Sequence, residues 1–174
     1  MSTQPGPDFG QSADSPHLRV LSQYVKELSF RNAMAGASSQ AYDQQPTIDM
    51  GIEVKSRPIG DRGEAVEVDL CVNVSAKRAE TLMFSANLVY SGLIQFVNVR
   101  PDEIEPLIWI ECPRLLFPFT RQIMADVTRE GGYPPLMINP IDFTPLYWAE
   151  LRDRQARGGG VDASPGPAPN STVF

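Results

Sequence analysis

The chain has 174 residues, enough for one domain with a sizeable core, and sets 15 Lys and Arg against 21 Asp and Glu, a net charge of −6. That balance argues against nucleic acid as a partner, because phosphate binding needs a basic footprint. Cys71 and Cys112 form no CxxC pair and offer neither a disulfide framework nor a zinc site. The start lacks the apolar core of a secretion signal, and no run of about 18 apolar residues suggests a membrane span. A cytoplasmic protein without direct membrane insertion is expected.

Residues 1–16 are mostly Pro, Gly, Ser and Gln and read as a disordered tail. The domain is expected over 17–156. It opens on a long strand in which Leu18, Val20, Tyr24, Leu28 and Phe30 share one parity, although Ser22 and Lys26 break it and Leu21 and Val25 fall on the other side. Two cleaner strands come next. Ile48, Met50, Ile52 and Val54 alternate with Asp49, Gly51, Glu53 and Lys55; Val66, Val68, Leu70, Val72 and Val74 alternate with Glu67, Asp69, Cys71, Asn73 and Ser75. One dry face and one wet face is the signature of an antiparallel sheet. The wet face reads as mostly acidic through Glu27, Asp49, Glu53, Glu67 and Asp69. A fourth strand, from Thr81 to about Val97, is apolar on its even positions and partly so on its odd ones, which suggests a subunit contact or a cover of loop or tail.

After Arg100 the character becomes helical, with carboxylates where a helix N-terminus favours them. Spacing of three and four predicts an apolar stripe of Ile108, Cys112, Leu115, Leu116, Phe119, Ile123 and Val127, with Arg114, Arg121 and Thr128 on the other side. Pro113 and Pro118 interrupt it, each costing roughly 3 kcal/mol if interior. Either the helix starts at Pro113, or a longer one from about Glu105 is kinked. Residues 130–140 form a turn and an extended arm. Asp142 is the expected N-cap of a last short helix carrying Phe143, Leu146, Tyr147 and Leu151 on one face. Residues 157–174 read as a flexible Gly- and Pro-rich tail.

Catalytic and cofactor chemistry is poorly supported. His17 is the only histidine, which removes His-based triads and multi-His metal sites, and no phosphate-cradling glycine loop is present. The Asp102, Glu103 and Glu105 cluster reads as helix-start charge, and Cys112 as a buried structural cysteine. No cofactor, no metal and no enzyme activity are expected. What remains is apolar surface. If the main helix covers one sheet face, the arm and last helix lie beside it and leave a groove. Ile48, Met50, Phe119, Phe143, Tyr147 and Leu151 would line that groove, which suits an extended apolar peptide or a hydrophobic small molecule.

The ordered motifs Cys112-Pro-Arg-Leu-Leu-Phe-Pro-Phe-Thr-Arg121, Gly131-Gly-Tyr-Pro-Pro-Leu136 and Asn139-Pro-Ile-Asp-Phe-Thr-Pro-Leu-Tyr147 resemble the SecB export chaperones. The resemblance covers about Leu18 to Leu151. It implies an α+β fold, a four-stranded antiparallel sheet with one long and one short helix packed on one face, assembled as a homotetramer that is a dimer of dimers. It implies, too, a function without ATP: unfolded preproteins are held in apolar grooves in the bacterial cytoplasm and delivered to the SecA motor. Carried over by position, the groove includes Ile48, Met50, Phe119, Tyr147 and Leu151. The subunit contact falls on Ala86, Leu88 and Tyr90. The SecA-contacting face falls on Glu27, Ser85 and Asn87, the last two standing where an apolar residue and a carboxylate are expected; Arg31 stands where some relatives are acidic, and Gln44 where an aromatic is common. A SecB-like chaperone of a toxin–antitoxin system, and a small hydrophobic-ligand carrier, are the alternative readings.

Overall fold

The computed structural model describes residues 15–35, 46–60 and 65–156. The expected tail at 1–16, save Ser15 and Pro16, the expected tail at 157–174, and Gln44 lie outside the described residues. Four antiparallel strands form one sheet: β1 (His17–Asn32), β2 (Thr47–Ile59), β3 (Ala65–Arg78) and β4 (Thr81–Val97), in the order β1-β4-β3-β2. The long second half of the chain is helical: α1 (Pro101–Pro106), a π turn (Leu107–Glu111), α2 (Cys112–Glu130) and, after the arm, α3 (Thr144–Ala156). The α+β class and the all-antiparallel sheet stand as the alternation of β2 and β3 predicted.

Register explains which faces are dry. Met50 pairs with Val74, Ile52 with Val72, Val72 with Leu88 and Leu70 with Tyr90, so the even positions of β2, β3 and β4 share one face. Those residues are buried and form one core with Leu116, Met124, Ile138 and Phe143 of the helical layer. On β1 the parity is broken by two register shifts, at Leu21 and at Lys26. Each shift inserts one residue and carries the remainder of the strand to the opposite face. Leu18, Val20, Gln23, Val25, Leu28 and Phe30 therefore share the helix-facing side, while Tyr24 crosses to the outer side. The single-parity strand expected from the sequence is corrected by these bulges.

Of the two alternatives the longer helix is the one found, although it begins at Pro101 rather than near Glu105, and a π turn widens it just before Pro113, where the Cys112 N–H donates to the Leu107 carbonyl five residues back. A wider turn relieves the crowding of the Pro113 ring against the carbonyl four residues earlier. Pro118 lies inside α2 on the exposed side, where the carbonyl it leaves unpaired can reach water.

The buried stripe of α2 also differs from the expected one. Cys112, Leu116, Thr120, Met124 and Thr128 are buried at four-residue spacing, whereas Leu115 and Phe119 are exposed. Thr120 and Thr128 tolerate burial because their hydroxyls donate back to the carbonyls of Leu116 and Met124, at 3.2 and 2.9 Å. The Thr128 oxygen then accepts from the Leu136 N–H at 2.9 Å, which ties the arm to the helix. Leu136 and Ile138 point in and Met137 points out. At the start of α3, Asp142 accepts from the Thr144 N–H at 2.9 Å, the expected capping contact, and this holds its carboxyl below the usual value.

Candidate functional site

The six groove positions are distributed unevenly. Met50, Phe143 and Tyr147 are closed inside the single chain, and Ile48 and Leu151 are half-buried. Phe119 alone is open, 49% exposed, although its ring stacks on Tyr90 with centroids 5.8 Å apart. Tyr90 reaches toward β1, where its hydroxyl lies 3.3 Å from Gln23. Phe143 meets Phe117 edge-on across the core and also lines a cavity of about 470 Å³ between α2 and the arm. The structure thus brings Phe143 to a cavity and Phe119 to an open surface, but does not gather all six in one open groove.

Other exposed apolar side chains fall beside these positions: Leu115 on α2, Met137 on the arm, Trp148 on α3, and Val20, Leu21, Val25 and Leu28 on β1. Of these, Leu115 is assigned to the buried stripe by its spacing alone, because an exposed apolar residue at helical spacing looks like core. The last helix rests against the π turn. Arg154 bonds Glu105 at 2.8 Å, and its guanidinium lies 5.0 Å from the centre of the Trp109 ring.

The β4 positions read as a subunit contact, Ala86, Leu88 and Tyr90, are 0, 1 and 8% exposed in the single chain. Their immediate neighbours on β1, paired across the sheet, are Phe30, Leu28 and Val25. Of these, Leu28 and Val25 remain exposed, on a strand that is the sheet's edge.

Glu27, Ser85 and Asn87 do share the outer face. Glu27 is paired with Val89, Ser29 with Asn87 and Arg31 with Ser85, and the Asn87 amide donates to the Ser29 hydroxyl at 3.2 Å. On the rest of that face Asp49 stays exposed, but the other acidic residues expected there are paired with cations. Glu67, only 4% exposed, bonds Arg57 of β2 at 2.5 Å and Lys26 of β1 at 2.8 Å, and also takes the Tyr24 hydroxyl. Lys26 reaches Asp69 as well, at 2.7 Å, and Ser91 donates to Asp69 at 2.7 Å. The Arg57 hydrogen bond, helped by those from Lys26 and Tyr24, outweighs burial and lowers the Glu67 pKa to about 2. Glu53 is likewise paired with Lys55 at 3.1 Å. Residue order alone does not signal this neutralisation, because the β1 bulge that aims Lys26 at Glu67 and Asp69 is invisible to a period-two reading.

Nothing nucleophilic emerges from this geometry. Cys112 is fully buried, and desolvation pushes its thiol up to about 12. Among the described residues no cluster of three or more metal-ligating side chains occurs, and no helix is long and apolar enough to cross a membrane.

Comparison with known proteins completes the picture. Residues 11–154 match the family described as preprotein translocase subunit SecB. A protein-export protein SecB of Maricaulis maris is 46% identical over 158 residues, covering 91% of each chain. One of Hyphomonas neptunium is 45% identical, covering 86% of this chain and 90% of its own. Among solved structures, a SecB-like chaperone of Mycobacterium tuberculosis in complex with an antitoxin peptide superposes with a TM-score of 0.58 at 14% identity, over 72% of this chain and 91% of that one; the likeness is one of fold.

Proposed function

Because the chain belongs to the SecB family, we propose that it works as an ATP-independent holdase, binding unfolded preproteins on apolar surface, keeping them translocation-competent and delivering them to the SecA motor. It is a protein-export chaperone and not an enzyme.

The observation that carries this reading is Phe119. A large ring half open to solvent, seated on a closed core, is apolar area that the chain itself does not consume. Leu115 extends the patch along α2. Ile48, Met50, Phe143, Tyr147 and Leu151 join it when α3 moves off α1 and the π turn, to which the pair Arg154–Glu105 and the Arg154–Trp109 contact hold it. Both are surface contacts of the kind worth about 1 kcal/mol or less each. Burial of client side chains there contributes about 25 cal/mol per Å², less the ordering of the client. Such contacts are non-directional, so selection falls on segments that folding has not yet hidden.

A homotetramer, a dimer of dimers, is part of the proposal. Ala86, Leu88 and Tyr90 serve it indirectly, as the cross-strand neighbours of Phe30, Leu28 and Val25, whose strand offers an unpaired edge and exposed apolar side chains to a second copy. SecA would meet the outer face at Glu27, Ser85 and Asn87. The work is placed in the cytoplasm, where nascent preproteins are unfolded. Retardation of preprotein aggregation without nucleotide, measured beside native mass, tests the reading.

A further inference from the structure

No residue of β1 is buried, whereas β2, β3 and β4 each carry several buried side chains, so this edge strand is the one the single chain holds least. Its end is nevertheless tied to the place where α2 gives way to the arm. The Asn32 amide donates to the Gly131 carbonyl at 2.9 Å. The Asn32 side-chain oxygen accepts from the Met34 N–H at 3.1 Å and lies 2.8 Å from the Tyr133 hydroxyl, which is also 2.9 Å from the Met83 carbonyl of β4. With donor and acceptor both engaged, the Asn32 side chain has one orientation. The Tyr133 ring packs on Phe84 with centroids 4.8 Å apart, and Phe84 stacks on Phe30. From there the Tyr133 N–H donates to the Thr128 carbonyl at 3.1 Å and the Leu136 N–H to the Thr128 hydroxyl at 2.9 Å, so a continuous path of contacts runs from the end of β1 into the arm.

We infer that this path couples assembly to the arm. Pairing the β1 edge with a second copy stops the strand from fraying, and Asn32 passes that order to Tyr133, which holds the base of the arm in place. An unpaired β1 frays, takes Asn32 with it, and loosens the arm. The inference rests on the proposed assembly and client binding and adds a control to them: a subunit outside its assembly presents a loosened arm and captures clients less well than an assembled one. Coupling of this kind is reciprocal, so a client that steadies the arm strengthens assembly by the same factor.

The test compares the full chain with the double variant Val25→Lys/Leu28→Lys, in which charge on the exposed edge opposes pairing, by native mass and by hydrogen exchange at the Tyr133 and Leu136 amides. In the assembled full chain these amides should exchange about tenfold more slowly than in the unpaired variant, a factor of the size usual for coupled sites. Tyr133→Phe keeps the ring and loses only the hydroxyl, and Asn32→Ala removes the amide. With either change the difference between assembled and unpaired chains should shrink to about twofold or less, whereas a residue that merely braces the fold would speed exchange in both states alike. Capture of a labelled preprotein kept unfolded in dilute urea should follow exchange, weaker in the unpaired chain and independent of assembly once the Tyr133 hydroxyl is gone. Equal exchange in assembled and unpaired chains, or a difference that survives both Tyr133→Phe and Asn32→Ala, overturns the coupling and leaves the chaperone reading intact. A lysine variant that keeps the assembled mass, or a full chain with the mass of one subunit, removes β1 as the assembly edge and overturns the coupling with it. No capture of preprotein by the full chain overturns the chaperone reading and not the link between β1 and the arm, which exchange reads by itself.

Discussion

Phe119 of α2 stacks on Tyr90 of β4 with ring planes 18° from parallel, and the stacked ring is still half exposed. The inner ring is sealed and the outer one is open to solvent, so the pair holds the helix on the sheet while leaving one aromatic face uncovered. Phe119→Ala removes the outer ring without opening the core. Its stability cost should stay near 1 kcal/mol, well below the roughly 3–5 kcal/mol of a core Phe→Ala change, while capture of an unfolded preprotein weakens several-fold. Chemical denaturation and preprotein binding, measured side by side, separate the two effects. Tyr147→Asp should behave differently. Tyr147 is 7% exposed, so a carboxylate placed there is expected to lower stability by at least about 2 kcal/mol as well as weakening capture.

Glu67 links β3 to its neighbours through Arg57 and to the edge strand through Lys26 and Tyr24. Its folded-state pKa of about 2 lies below the ordinary 4.5. The carboxylate therefore stabilises the fold fully above pH 4.5, and that contribution is lost as pH falls toward 2. Glu67→Gln should cost on the order of 2 kcal/mol at pH 7 and flatten the acid limb of stability against pH. Denaturant titrations at pH 7, 4 and 3 read this directly; an unchanged acid limb in the variant would contradict the assignment.

Where α2 ends, Gly131 lies against Phe30 of β1, and a Cβ at that position would stand 2.3 Å from the ring. Phe30 is itself stacked on Phe84, so it has little room to withdraw. Gly131→Ala should destabilise by about 1–3 kcal/mol through overpacking. Gly132 has open space but a φ of +85°, so Gly132→Ala should cost about 1 kcal/mol for backbone reasons alone. Thermal unfolding of the two variants ranks them, with Gly131→Ala expected to be the worse.

How far the sequence reaches depends on the physics at each element. In β2 and β3 alternation is strict, because each has one dry face and no bulge, and both the faces and the pairing were legible. In β1 the pattern looked defective because the bulges at Leu21 and Lys26 move Tyr24 outward and Val25 inward. In α2 hydrophobicity misassigned both kinds of exception: Thr128 is buried because its hydroxyl is satisfied, and Phe119 is exposed although it is aromatic. The proposed client surface thus sits where composition and burial disagree. A single sequence cannot show which apolar residues are left over.

The outer face gives a prediction about the motor. Its carboxylates on β3 are already matched by Lys26 and Arg57, which leaves Glu27, beside Ser85 and Asn87, exposed and, like Asp49 of β2, without an ion pair among the described residues. Contact there should be less salt-sensitive than an acidic patch would make it. Glu27→Lys is expected to weaken SecA binding several-fold without altering preprotein capture, as read by surface-immobilised SecA at two salt concentrations. Normal binding by the variant at both would move the docking site elsewhere.

The central claim is that apolar side chains left outside the core, Phe119 foremost, are there for another polypeptide. The most direct measurement tracks light scattering of a urea-unfolded preprotein diluted into buffer without nucleotide, with the native mass of the chaperone determined in the same buffer. Full-length chain at tetramer mass should delay aggregation stoichiometrically, and Phe119→Ala at the same mass should delay it far less. Equal protection by the two proteins, or none from either, would contradict the account.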